Sequence, residues 1–360
     1  MSRLKQGDYE VVSARLVARL HWLQGTMVVT NIDTFREVIL RAAELLGDEL
    51  DWTCGPLGRG KKYDRSGRGA KGFFFAWNEP NDNRQGEAWI SIPGDLIDSL
   101  PLECFGSVCL LLQQFGFKAT RIDCAIDDFS KKITPELLLE KARQGNFARF
   151  RYRAVGEHPP SYQFYVSPQV NSQGEVEEAM TVYFGGKGSD KKFYCYRKDL
   201  ESKGETDSIR FEARFADEQA HSRFEVLCEC YKNRGFRDSL VIVGGFCLGA
   251  IDFVDRSIGT RLDEHPRFDW WQELEDALGG LRIPVPRAVP TVEKIADWSH
   301  KQWETSLRIF ELVAGTAGLF EFVGKLVESG TKRIKSRHLA LARSAISSEF
   351  NLINYSNLIM

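Results

Sequence analysis

Arg121-Ile122-Asp123-Cys124-Ala125-Ile126-Asp127-Asp128 decides how this chain is read. Successive side chains of a β-strand point to opposite faces. Arg121, Asp123, Ala125 and Asp127 therefore share one side, and Ile122, Cys124 and Ile126 the other. The apolar side can pack on a core. The opposite side sets carboxylates and an arginine in mid-strand, where β-propensity disfavours them. Two later segments repeat the pattern. Lys192–Lys198 sets Tyr194, Tyr196 and Lys198 against Phe193 and Cys195, and Ile209–Phe215 sets Arg210, Glu212 and Arg214 against Phe211, Ala213 and Phe215. An antiparallel sheet with one wet face alternates this way without any function, and opposite charges on neighbouring strands support each other modestly. Three such strands between residues 121 and 215, rich in Asp, Glu, Arg, Lys and Tyr, point further, to one sheet face that gathers an active site.

Outward from these strands, Leu20–Val29 reads as a strand. Thr34 and Glu37 form a capping box for a helix that runs to Leu46 and stops at Gly47, with Phe35, Val38, Ala42 and Leu45 inward. Phe73–Trp77 and Glu87–Ile92 read as strands around a polar turn, and Cys104–Phe115 as an apolar helix that feeds the strand 117–127. That order, βαββαβ, is the ferredoxin-like split unit of an α+β fold with antiparallel sheets. Thr134, Pro135 and Gly145 frame another helix. Strands near 161–166, 179–184, 192–198 and 208–215 and a helix from Asp217 to Tyr231 follow, an order that suggests a second, duplicated unit. Pro284, Pro286 and Pro290 stiffen a linker over 283–291. Beyond it, 292–327 is helical in pattern, bent or broken at Gly315 and Gly318, and 336–349 reads as a further short helix. The expected organisation is a domain over 1–282 with lobes of about 1–130 and 131–282, the linker, and a helical accessory domain over 292–360.

With 360 residues and 43% hydrophobic content, the chain can bury a full core. No stretch approaches eighteen apolar residues, and Met1 to Asp8 lacks a signal peptide's apolar centre, so a soluble, cytoplasmic protein without membrane contact is expected. The eight cysteines include no CxxC pair, and Cys109 sits between Val108 and Leu110. Buried free thiols account for them better than disulfides or zinc. The six histidines are isolated from one another, so no strand carries a histidine metal pair, and no GxxxxGK[ST] motif is present. A net charge of −2 argues against coating nucleic acid non-specifically, though not against a localised site. Within residues 55–71, Arg59, Lys61, Lys62, Arg65, Arg68 and Lys71 oppose only Asp64. This reads as a glycine-rich loop whose cations suit a phosphate backbone, or as a solvated hairpin tip. Residues 332–343 form a second basic segment.

The same segments resemble the replication initiation factor family, the rolling-circle initiators of small plasmids and some phages. That family carries a strand of the form T-R-I/V-D-x-A-x-D-D-F, matched by Thr120 to Phe129. Its segment Y-x-G-S-R-x-S-D-x-x-x-R-I-Y-D-K-x-x-E is matched by Tyr183 to Asp190, then Lys191 to Lys198 and Glu201. Its R-x-E-x-R strand is matched by Arg210, Glu212 and Arg214. Ile90 to Gly94 and His21 to Thr26 are similar to its I-x-I-P-G and H/D-W-L-x-G-T segments. Two departures stand out: the usual R-I-Y-D-K reads Tyr194-Cys195-Tyr196-Arg197-Lys198, and Gly186-Lys187 replaces Ser-Arg.

The resemblance implies a DNA nicking and closing enzyme. A tyrosine attacks a phosphodiester at the origin, leaving a 5′-phosphotyrosyl link and a free 3′-hydroxyl. Tyr196 holds the matching position, with Tyr194 as the alternative. A phenol needs a nearby cation or base at neutral pH, and the phosphate needs its charge neutralised. Asp123 and Glu212 are the mid-strand carboxylates that suit Mg²⁺ or Mn²⁺. Lys198 and Arg210 are expected to steady charge, Arg121 to clamp phosphate, and Asp127, about 13 Å further along the strand, to lie at the rim. Implied partners are origin DNA, single-stranded at the nick, with a host helicase and a second copy of the chain as family associates. A non-enzymatic origin-binding protein of the same fold and a relaxase of a mobile element remain as alternatives.

Overall fold

The computed structural model describes residues 16–55, 62–81, 85–150, 162–171, 173–186, 188–202, 204–259, 264–278 and 292–331. The chain divides into two compact units, Met1–Pro286 and Arg287–Met360. The linker expected at 283–291, the basic segment 332–343 and the helix at 336–349 lie outside the described residues.

The first unit opens with β1 (Leu16–Val29), α1 (Ile32–Leu46), β2 (Leu50–Cys54), β3 (Arg65–Gly69), β4 (Phe74–Asn78), β5 (Gly86–Pro93), α2 (Gly94–Asp98), α3 (Leu102–Gln114) and β6 (Lys118–Asp128). It continues with α4 (Pro135–Arg143), β7 (Phe147–Ala148), β8 (Tyr162–Val170), β9 (Val176–Phe184), β10 (Lys191–Arg197), α5 (Lys198–Glu201) and β11 (Ile209–Ala216). Then follow α6 (Asp217–Asn233), α7 (Phe236–Gly249), β12 (Asp252–Phe253) and α8 (Asp269–Ala277). Ten strands form one antiparallel sheet in the order β2-β3-β4-β5-β1-β6-β11-β10-β9-β8, and β7 and β12 pair separately.

Within this sheet β6-β1-β5-β4 is the split unit that the element order implies, with α1 and α3 as its crossovers and the hairpin β2-β3 added beyond β4. The second half continues the same sheet. β8 to β11 form a four-stranded meander joined to β6 through β11, so the duplicate unit is realised as an extension rather than a copy. One face is covered. Phe117 of that face meets Phe224 of α6 at 5.3 Å, Cys247 of α7 donates to the Phe211 carbonyl oxygen at 3.5 Å, and Phe211 meets Trp271 of α8 at 6.2 Å. Ile122, Cys124, Ile126, Phe193 and Phe215 are buried there.

Strand β1 changes its inward parity along its length. Leu16, Ala18 and Leu20 are buried, and then Leu23, Met27 and Val29. A bulge makes the switch: Leu20 pairs with Cys124 and Trp22 with Asp123, leaving His21 as the extra residue. A second irregularity lies between the pairs Gln24–Arg121 and Gly25–Ala119.

Local signals gave some boundaries and missed others. Helix α1 is capped by Asn31, not by Thr34: Asn31 is extended (φ −141°) and its side-chain oxygen accepts from the amides of Asp33 and Thr34. Gly47, in the left-handed region at φ 57°, ends it as expected. Thr134 caps α4 by accepting from the Leu137 amide at 3.3 Å. The segment 55–71 is not a loop throughout, because Arg65–Gly69 is strand β3. The glycines of β3 admit neighbours that a side chain would displace; a Cβ on Gly67 would lie 2.3 Å from the Phe75 ring. Helix α7, interrupted in sequence by Gly244 and Gly245, carries no clear periodic signal yet packs against β1, β6 and β11.

In the second unit, α9 (Val292–Thr331) turns at Gly315, whose φ of 73° interrupts the helix, and Phe310 stacks on Phe322 at 4.4 Å across that turn. Among the described residues no helix is long and apolar enough to cross a membrane.

Gly25 tests the tight β1–β6 contact. A Cβ there would sit 2.3 Å from the Lys118 carbonyl oxygen and 2.4 Å from the Phe117 ring. Backbone cannot swing aside as a side chain can, so Gly25→Ala should cost about 1–3 kcal/mol. Equilibrium denaturation should show a lower midpoint at an unchanged slope.

Candidate active site

Register converts the alternating strands into three rungs across the uncovered face of the sheet. The first joins Trp22, Asp123, Arg214 and Lys192. The second joins Arg19, Ala125, Glu212, Tyr194, Tyr183 and Gln163. The third joins Val17, Asp127, Arg210, Tyr196, Thr181 and Tyr165.

At the centre of the third rung, the carboxylate of Asp127 and the guanidinium of Arg210 are 0% and 1% exposed. Arg210 donates to both oxygens of Asp127, Nε to Oδ1 at 2.6 Å and Nη2 to Oδ2 at 2.9 Å. Arg19 reaches the same carboxylate at 3.0 Å and donates at 2.9 Å to Asp98 of α2. Burial alone would raise the Asp127 carboxyl, but the Arg210 hydrogen bonds and the charges of Arg210, Arg19 and Lys198 outweigh it and hold the group below the ordinary range. Asp127 is therefore not at the rim. It is the buried anchor of the site.

Asp123 is held by two other arginines. Arg121 donates to it at 3.0 and 3.2 Å through Nε and rests 4.4 Å over the Trp22 ring, while Arg214 Nε approaches both oxygens at 3.3 and 3.1 Å. Arg214 Nη2 also lies 3.5 Å from Glu212 Oε1. The other oxygen of Glu212 accepts from the Tyr196 hydroxyl at 3.2 Å. Burial and then the neighbouring Asp123 charge raise the Glu212 carboxyl above its ordinary value. Burial and then the Glu212 charge push the Tyr196 phenol well above 10, so its proton stays until a base takes it.

Tyr194 lies beside this dyad. Its ring stacks on Tyr183 at 5.9 Å, with Arg214 5.4 Å over it, and burial raises its phenol too. A cavity of about 290 Å³ opens here, lined by Tyr165, Thr181, Tyr194, Tyr196, Glu212 and Arg214 among others.

The structure thus brings Asp123, Glu212, Tyr196, Tyr194 and Arg121 together, and it distributes the remaining sequence candidates differently. Arg210 is engaged by Asp127 rather than facing the cavity. Lys198 opens α5 instead of continuing β10, and its ammonium pairs with Glu201. Lys62 pairs with Glu87 at 3.0 Å, Arg65 with Glu79 at 3.4 Å, and Lys71 donates to the Gly47 carbonyl at the end of α1 at 2.6 Å. Arg68 is exposed on β3, and Arg59 and Lys61 lie outside the described residues. His21, isolated in sequence, joins the site as the bulge residue of β1. Burial, then the charges of Arg210, Lys198 and Arg19, hold its imidazole down to about 3 and keep it neutral. A Cβ on Gly94 would meet its ring at 2.3 Å, so the glycine makes room for it.

The antiparallel α+β fold that carries these residues has a counterpart among solved structures. The rolling circle replication initiator protein from Geobacillus stearothermophilus shares the fold with a TM-score of 0.53 at 18% identity, over 76% of this chain and 100% of its own. A second match, the regulatory subunit of aspartate kinase from Thermus thermophilus, covers 61% of this chain and 99% of its own at 9% identity. Its TM-score of 0.16 carries no structural likeness. No curated protein matches the sequence. The sequence model of the replication initiation factor family matches residues 117–318, more than half of the chain. The chain belongs to that family.

Breaking a buried ion pair strands the remaining charge at a cost of about 3–5 kcal/mol, so Arg210→Ala should destabilise the fold by that order. Because the Asp127 carboxyl is held low in the folded state, its stabilisation is complete above the unfolded value, about 3.9. It is lost as pH falls through the lower folded value. Denaturation midpoints measured across that acid range should fall steeply in the native protein and less steeply in Asp127→Asn.

Proposed function

We propose that this protein initiates rolling-circle replication by nicking and rejoining origin DNA, with Tyr196 as nucleophile. The observation that carries the reading is the Tyr196 hydroxyl donating to Glu212 at 3.2 Å, within the segment that matches the family. A nucleophile in hydrogen-bond contact with a base, itself set by a third charged group, is the arrangement that activates a hydroxyl. In this reading Glu212 takes the phenolic proton as the phenol oxygen attacks phosphorus. The P–O3′ bond breaks, the 3′ oxygen leaves and is protonated, and the 5′ phosphate remains on Tyr196. The reverse attack by a 3′-hydroxyl rejoins the strand without another energy source. The raised proton affinity of Glu212 makes it a stronger base than an ordinary carboxylate once it is ionised. Tyr194, packed between Tyr183 and Arg214, makes no such contact with a carboxylate among the described residues.

Arg210 is better suited to positioning than to clamping phosphate, since Asp127 occupies it. Arg214 lines the cavity, and Arg121, a quarter exposed, shares the Asp123 carboxylate with it; these are the cations suited to the phosphate. The divalent cation implied by the family fits the donor chemistry of Asp123 and Glu212. Both are oxygen ligands, their charges are close enough that Asp123 raises the Glu212 carboxyl, and Arg214 now bridges them. Among the described residues no set of three His, Cys, Asp or Glu converges; Mg²⁺ or Mn²⁺ held by two carboxylates would keep water or phosphate in its other positions. When bound, such an ion would neutralise charge at the scissile phosphate.

Two measurements test the reading. On supercoiled DNA carrying the cognate origin, with Mn²⁺ or Mg²⁺, the native protein and Tyr194→Phe should nick and attach covalently to a 5′ end, while Tyr196→Phe should do neither. Binding of DNA by all three without cleavage under either metal would replace the enzyme with a non-enzymatic origin-binding protein. Glu212→Gln should slow cleavage about 10²–10⁴-fold.

A further inference from the structure

The second and third rungs do not end at the tyrosine–carboxylate dyad. Beyond Tyr194 the uncovered face carries two more aromatic side chains, each on the next strand outward. Tyr194 stacks on Tyr183 of β9 with ring centroids 5.9 Å apart and planes 26° apart, and Tyr183 lies 6.3 Å from Tyr165 of β8, the last strand of the sheet. The row is capped at its inner end by the guanidinium of Arg214 over Tyr194. At its outer end Tyr165 is 53% exposed. The cavity lined by Tyr196 and Glu212 is also lined by Tyr194 and Tyr165, the two ends of this row.

Cross-strand aromatic pairs stabilise sheets by themselves, and on the covered face that explains Phe184, Phe193 and Phe211, which are fully buried. The tyrosine row has a different setting. It lies on the polar face, its outermost ring is half open to solvent, and both its end rings line the cavity beside the dyad. Lys192 shares that face, paired in register with Arg214. A flat sheet face with two or three aromatic rings and adjoining cations is the chemistry that holds single-stranded nucleic acid, because every base has a face to stack and every linkage a negative charge.

We propose that Tyr165, Tyr183 and Tyr194 form a stacking platform for the unpaired bases of the strand that is cut, leading that strand from the edge of the sheet to Tyr196. The occupant is single-stranded DNA. This rests on the nicking reading for the role of Tyr196, and the platform itself acts through binding alone. Stacking is tolerant of sequence, so the platform supplies affinity for unpaired strand next to the nick and leaves origin choice to other contacts. It also favours an extruded single strand over duplex, whose bases are already stacked on one another.

The test measures binding of a fluorescently labelled short oligothymidylate by anisotropy, beside a nicking assay on a single-stranded origin oligonucleotide. Tyr165→Leu and Tyr183→Leu remove the rings, and Tyr165→Phe and Tyr183→Phe keep them. Each leucine variant should lose about five- to a hundredfold in affinity, and each phenylalanine variant should bind like the native protein. The slope of affinity against salt should be unchanged, since no phosphate contact is lost, and an abasic strand of equal length should bind all variants alike. In nicking, the leucine variants should raise KM more than they lower kcat. Equal oligothymidylate binding by leucine variants and native protein overturns the platform while a native protein that nicks keeps the initiator reading. Equal losses in the phenylalanine variants, or a loss shared by the abasic strand, also overturn it, because stacking is then not the cause. A native protein that fails to nick, with leucine variants that still lose oligothymidylate selectively, sinks the nicking reading and supports the platform.

Discussion

The buried pair of Asp127 and Arg210 is the contact on which the polar face depends. Two charges with almost no solvent contact lose much of their hydration, and only good geometry offsets that loss. Here the guanidinium fork meets both carboxylate oxygens, and Arg19 adds a third donor from the opposite side. The pair therefore joins β6 to β11 and, through Arg19 and Asp98, β6 to β1 and α2. A slip of one residue would turn Asp127 into the apolar face and leave Arg210 without its carboxylate. Register is thus enforced from both sides of the sheet, by apolar packing below and by charge pairing above.

That rigidity sets the geometry one rung away. Tyr196 is the direct cross-strand neighbour of Arg210, and Glu212 follows Arg210 by two residues on the same face. Their hydroxyl–carboxylate contact is fixed by strands, which hold side chains more closely than loops do. Asp123 and Asp127 play unlike parts although both are buried carboxylates of one strand. Asp127 is paired with a guanidinium as buried as itself. Asp123 is paired with Arg121 and Arg214, whose side chains are about a quarter and a third exposed, and Arg214 borders the cavity. The first pair is suited to holding structure, the second to exchanging partners with an incoming phosphate or cation.

Much of this site was legible in the chain. Alternation alone separated Asp123, Tyr194, Tyr196, Glu212 and Arg214 from the residues beneath them, and the structure keeps each on the uncovered face. What misled was distance measured along one strand. Asp127 lies far from Asp123 on β6, yet neighbouring strands carry the site sideways across the sheet, and Asp127 sits at its centre. Arg210 and Lys198 were assigned from the faces they share with Glu212 and Tyr196, but one is claimed by a carboxylate on the next strand and the other by a helix that begins at its own position. Strand β3 was hidden by its glycines, which weaken strand propensity and here admit the Phe75 ring. Helix α7 was hidden because a helix buried on many sides has no polar stripe to reveal its period.

The sequence by itself determined which residues could face each other: period-two alternation is a property of the backbone and needs no partner strand. It also determined the order of elements, since caps and stops at Thr134 and Gly47 act within a few residues. Only the tertiary structure decided which arginine meets which aspartate, that the bulge at His21 brings an isolated histidine and Trp22 to the polar face, and that tyrosines from three strands stand in one row. Each of those facts depends on register between strands distant in the chain. Register is set by the summed packing and pairing of the whole sheet, which no single segment contains.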